Sequence, residues 1–179
     1  MIFRSTGLAV AWFMAWHMSA ALADDASCES LDIHLAGTAI AGDRNCRTGE
    51  MGSFDDGIAE TELIEVKGIG FVFFLHHVNA GLRSYLTRQD FDKTLDGASN
   101  FKRVENMTVH PATGGYSVRK FTGITEDDQG VPCFALMQYS GTSFNGARHL
   151  VFGLYCQFRG DEVADDRIDE VMAGIDTDF

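Results

Sequence analysis

The sequence predicts an α+β fold: an antiparallel sheet of about five or six strands, stapled by disulfides, with a C-terminal amphipathic helix packed on one face. Three observations carry this. First, Leu150, Phe152, Leu154, Cys156 and Phe158 alternate with His149, Val151, Gly153, Tyr155 and Gln157, the period-two signature of a strand. Second, Ala164, Ile168, Val171, Met172 and Ile175 recur at helical spacing, with Asp165 and Asp166 early in the run, where acids suit the positive helix end. Third, four cysteines follow an export-type leader, so they are read first as two disulfides.

The leader is residues 1–23. It carries one base, Arg4, then an apolar stretch ending Ala21-Leu22-Ala23, the three-part pattern of a signal peptide with a small-x-small cleavage site. Its apolar run, residues 8–18, is shorter than the roughly 20 residues a bilayer-spanning helix needs. Taking 23 residues from 179 leaves 156, enough for a single globular domain over 24–179. The predicted location is periplasmic or secreted, with no membrane span in the mature chain.

From 24 to 57 the chain is rich in Gly and Asp, and loops with one short strand at 33–35 are expected. Strands are expected at 62–66 and 69–78, turning at Lys67-Gly68. The second reads as central because Phe71-Val72-Phe73-Phe74-Leu75 is apolar on both faces. A short helix capped by Thr87 would carry Phe91 and Leu95 and stop at Gly97. Strands 104–109 and 116–121 flank a Pro- and Gly-containing turn.

One register joins the last two strands. If paired residue numbers sum to 289, then Cys133 faces Cys156, Ala135 faces Leu154, Met137 faces Phe152 and Tyr139 faces Leu150. A slip of one residue would turn every side chain to the wrong face. The pairings expected are therefore Cys133–Cys156 and, by remainder, Cys28–Cys46, each adding about 3 kcal/mol. The loop 140–148 is long for a hairpin. It presents Tyr139, Phe144, Asn145 and Arg148, and these four are the candidate partner-binding residues, since aromatics and Arg are favoured anchors.

The net charge is −12, and −13 without the leader, whose only charged residue is Arg4. Residues 24–65 hold eleven acids against two bases, and residues 126–179 eleven against three. Such a balance disfavours nucleic acid and anionic lipid and suits a basic protein partner. The middle of the chain is basic, with Arg83, Arg88, Lys102, Arg103 and Arg119 among its bases.

Catalytic and cofactor signatures are weak. His34, His76, His77, His110 and His149 lack the i, i+2 and i, i+4 spacings common in zinc sites, and adjacent strand residues such as His76 and His77 point to opposite faces. There is no C-x-x-C and no G-x-S-x-G. The acidic clusters at 126–128 and 161–170 lack a calcium-loop pattern. No catalytic residue, cofactor or metal ligand is assigned on this basis. The leading expectation is an exported non-catalytic binding protein (an inhibitor, immunity-type protein or envelope adaptor). The alternatives are a hydrolase built on His76, His77, His110 or His149, and a carrier holding small anions on the basic stretch.

Overall fold

A computed structural model describes residues 21–52, 58–81, 85–99, 101–111, 114–143, 146–177 and 179. Residues 1–20, most of the expected leader, lie outside these. Among the described residues, no helix is long and apolar enough to cross a membrane.

Eight strands form one antiparallel sheet: β1 (Ala21–Asp25), β3 (Asp43–Gly52), β4 (Ile58–Gly68), β5 (Phe71–Asn79), β6 (Arg103–His110), β7 (Ser117–Ile124), β8 (Gly130–Ser143) and β9 (Gly146–Gln157). Their spatial order is β1-β3-β4-β5-β9-β8-β7-β6. Two meanders therefore meet where β5 pairs with β9. A separate pair joins β2 (Ile33–Leu35) to β10 (Ile175–Thr177). The helices are short, α1 over Phe91–Ala98 and α2 over Asp165–Ala173.

This corrects the expected α+β class. Strand makes up 57% of the described residues and helix only 15%, so the protein is mostly β. The shortfall lay in the first third. β3 buries Cys46 and leaves most of its other side chains at least partly exposed, so no apolar alternation announces it. Its ten register pairs with β4, Asp43↔Lys67 to Gly52↔Ile58, hold it instead. A polar strand is stable there because ladder hydrogen bonds satisfy the backbone without side-chain help.

The 289 register is present over Cys133↔Cys156, Ala135↔Leu154, Met137↔Phe152 and Tyr139↔Leu150, and both disulfides form as Cys28–Cys46 and Cys133–Cys156. The hairpin itself is tighter than expected. Ser140 pairs with His149, Thr142 with Ala147 and Ser143 with Gly146, so the supposed loop is mostly ladder. Ser, Thr and Gly at such positions give no hydrophobic signal yet still pair.

Alternation along the central strands feeds two cores. Phe73, Leu75, Phe134, Leu136, Val151 and Tyr155 join Ile33, Ile40, Ile168 and Val171 on one face. Ala135, Met137, Phe152 and Leu154 join Phe91 and Leu95 of α1 on the other. The C-terminal helix does lie on one face, but a second helix and a strand pair share the covering. Asp90, not Thr87, caps α1, accepting from the Asp92 N–H at 2.9 Å. Ile175 leaves the helical stripe and pairs with Leu35.

The turn between β4 and β5 falls at Ile69-Gly70, two residues after the expected one. Gly70 adopts φ +84°, which costs a glycine nothing and a side chain a good deal. That placement sets Glu62 opposite His77, and the site described next follows from it.

Candidate functional site: a carboxylate–histidine cluster beside an acidic cleft

At one end of the sheet, the face covered by β2, β10 and α2 changes from apolar to charged. His77 is 1% exposed, and both of its ring nitrogens are engaged. Nδ1 lies 3.0 Å from Glu62 Oε2, and Nε2 lies 3.2 Å from His149 Nδ1. Glu62 comes from directly across on β4, whereas His149 on β9 is diagonal to His77, two positions from its partner Val151. The other Glu62 oxygen, Oε1, accepts the Asp32 backbone N–H at 2.8 Å. Asp32 immediately precedes β2. The ring of Phe179 stacks on both imidazoles, with centroids 4.4 Å from His77 and 4.3 Å from His149 and planes within 10° of parallel.

The electrostatics follow from this packing. Burial pushes the Glu62 carboxyl up, but its hydrogen bonds to His77 and the Asp32 amide, with attraction to His77, outweigh burial and hold it below the usual carboxylate value. His149 is held below the usual imidazole value by burial and by repulsion from His77 and Arg148, and Asp32 opposes this. One ligand-type atom each from Asp32, Glu62 and His77 lie within 4.8 Å of one another.

Glu62 also lines an adjoining cleft of about 430 Å³, with Asp24, Thr48, Gly49, Glu50, Glu60 and Thr61. Four of these seven residues are carboxylates and none is basic. Glu50 stands directly opposite Glu60 across β3 and β4, and Asp24 opposite Thr48 across β1 and β3. Like charges directly opposite on neighbouring strands destabilise a sheet.

The other candidates fall elsewhere. Phe144 and Asn145 lie outside the described residues. Tyr139 is committed to α1's approach: its hydroxyl accepts the Gln89 N–H at 3.0 Å, and the Arg88 guanidinium lies 5.9 Å from its ring. Arg148 contributes its carbonyl to the Ala80 N–H at 2.9 Å. His110 sits 3.5 Å from Asp165 and 3.4 Å from Asp169, tying β6 to α2. The hydrogen-bonding partners of His77, His110 and His149 among the described residues are carboxylates and each other, without a serine.

The basic stretch does not converge. Lys102 and Arg103 both pair with Asp128, and Arg119 lies over Phe91. Arg83 lies outside the described residues. Of the acidic clusters, Asp128 is taken up by Lys102 and Arg103, Asp165 pairs with Lys120, and Glu170 pairs with Arg167.

The reading of the histidines missed the cluster because His77 and His149 are 72 residues apart. Only the β5–β9 register brings them together, and no local pattern fixes that register. Comparison with protein families, with characterised proteins and with solved structures finds no match to this chain.

Proposed function

We propose that this is an exported, non-catalytic binding protein whose acidic cleft receives a basic segment of a partner protein. The observation that carries the reading is the Glu50–Glu60 cross-strand pair in a cleft that also holds Asp24 and Glu62 and, among the described residues, no base. A fold retains a locally unfavourable arrangement where function asks for it, and a cationic side chain placed between these carboxylates would turn the repulsion into attraction. The signal-like leader and the two disulfides support an oxidising location. Within that class, an inhibitor or immunity-type protein against a basic enzyme, or an envelope adaptor, fits the charge.

The test is capture of a basic protein from an envelope extract at low salt, by wild type and by the Glu50→Gln/Glu60→Gln double variant in parallel. Capture by wild type that is lost in the double variant and in high salt is expected. Equal recovery by both proteins, or no reproducible recovery by wild type, rejects the cleft as the binding surface.

A hydrolase is less well supported. Its discriminating feature is a pocket that joins a histidine to a nucleophile or carboxylate. The acidic cleft has Glu62 in its wall, and among the described residues no histidine lines it.

A further inference from the structure

We propose that Asp32, Glu62 and His77 bind a divalent transition ion of the zinc type. Tetrahedral coordination with bonds near 2.0–2.2 Å places donor atoms about 3.4 Å apart. Glu62 Oε2 and His77 Nδ1 are already 3.0 Å apart, and all three donors lie within 4.8 Å. Closing the set requires movement chiefly of Asp32, whose side chain is exposed and rotatable. One imidazole and two carboxylates suit zinc-like ions. Calcium takes six to eight oxygens, and magnesium keeps an octahedral oxygen shell. Two carboxylates with a neutral imidazole carry two negative charges, matching the ion, and solvent at the exposed Asp32 side supplies a fourth ligand.

The surrounding hydrogen bonds fit both the loaded and the empty state. In the empty state His77 carries its proton on Nδ1 and donates to Glu62, while Nε2 accepts from the Nδ1–H of His149. With an ion on Nδ1, the His77 proton sits on Nε2 and is donated to His149 Nδ1, whose own proton moves to its Nε2. Both ring nitrogens of His77 and both oxygens of Glu62 keep a partner in either state. A ligand histidine whose second nitrogen is held by a hydrogen bond is how metal sites fix ring orientation. Here His149 supplies that bond, and Phe179, stacked over both rings, keeps water from their face. The Asp32 amide fixes the remaining Glu62 oxygen. The site shares Glu62 with the cleft, whereas Asp32 and His77 lie outside the cleft's lining.

Metal-stripped full-length protein titrated with Zn²⁺ by calorimetry, and with Co²⁺ by visible absorption, tests this. One ion per chain is expected, with Co²⁺ bands of a low-coordinate N/O site. Asp32→Asn and His77→Gln should each weaken Zn²⁺ binding by more than about tenfold, and His149→Gln by about tenfold with the Co²⁺ bands retained. His110→Gln, at a histidine with its own carboxylates Asp165 and Asp169, should leave binding unchanged. Absence of saturable binding overturns the proposal. So does binding indifferent to Asp32→Asn and His77→Gln, or binding lost in His110→Gln. If His77→Gln fails to fold, the exposed Asp32→Asn decides alone.

Discussion

His76 and His77 are neighbours on β5, and they sit in different chemistry. The strand sends them to opposite faces. His76 lies between Leu63 and Phe152 on the neighbouring strands, whereas His77 lies between Glu62 and Val151. Both are buried, at 8% and 1% exposure. On its side, burial and repulsion from His77 push the His76 imidazole down to about 4, so it stays neutral near pH 7. On the other side, a carboxylate, a second imidazole and a stacked ring assemble around His77. Depth of burial alone therefore does not mark a functional histidine. What marks His77 is that a carboxylate and a second imidazole from neighbouring strands meet it on its face.

The largest test of this contrast addresses the parts where the two faces should be alike. Phe134→Ala, beneath α2, and Phe152→Ala, beneath α1, should each cost roughly 3–5 kcal/mol in urea unfolding, because both residues are fully buried. A markedly smaller loss on one side would mean the two cores are not equivalent, and the histidine comparison would lose its baseline.

Next comes pH. The folded chain holds His76 far below the ordinary imidazole value of 6.5, so between pH 6.5 and about 4 the unfolded chain binds the extra proton. Stability therefore falls on acidification through that window, by roughly 3 kcal/mol from this residue. His149, shifted the same way, adds to the loss. Glu62 acts lower down: its depressed value stabilises the fold above the ordinary carboxylate range, and that contribution disappears as pH falls through its folded value. Urea midpoints at pH 7, 5.5 and 4 should show a visibly shallower acid slope for His76→Gln than for wild type. Parallel slopes would contradict a neutral His76.

The smallest expected effect is a gain. Glu50→Gln removes the repulsion across to Glu60 and should stabilise the protein by about half a kcal/mol at low salt. The gain should fade as salt is added. A melting temperature that drops at low salt would show that the pair is not repulsive and would remove the main support for a cation-seeking cleft.

How far these features were legible depends on where the information resides. The β8–β9 register could be read because both strands carry alternating apolar sets that end in cysteines, and only one alignment satisfies both. The α1 stripe could be read from Phe91 and Leu95, but its cap could not: Asp90, three residues after the expected Thr87, accepts the Asp92 N–H. β3 could not be read, since its stability lies in backbone pairing. The Glu62–His77 pair turned on two residues of turn placement. A turn at Lys67-Gly68 would set Glu62 against Phe73, whereas Ile69-Gly70 sets it against His77. The sequence shows an X-Gly step at both places, and only the backbone angle at Gly70 separates them.

The two sulfur bridges are not equivalent in what they guard. Cys133 and Cys156 join strands whose ladder runs well past them on one side, so that hairpin has many other fastenings. Cys28 lies four residues before Asp32 and is linked to Cys46 on β3, with the Ala26 N–H to Cys46 carbonyl bond beside it. Reduction would thus leave the β8–β9 ladder in place, while the segment leading to Asp32 would lose its covalent tether to β3 and keep its backbone bonds to Cys46, Glu62 and β10. Reduction would therefore be felt first on the approach to the proposed ion site, with the ladders of the sheet still in place.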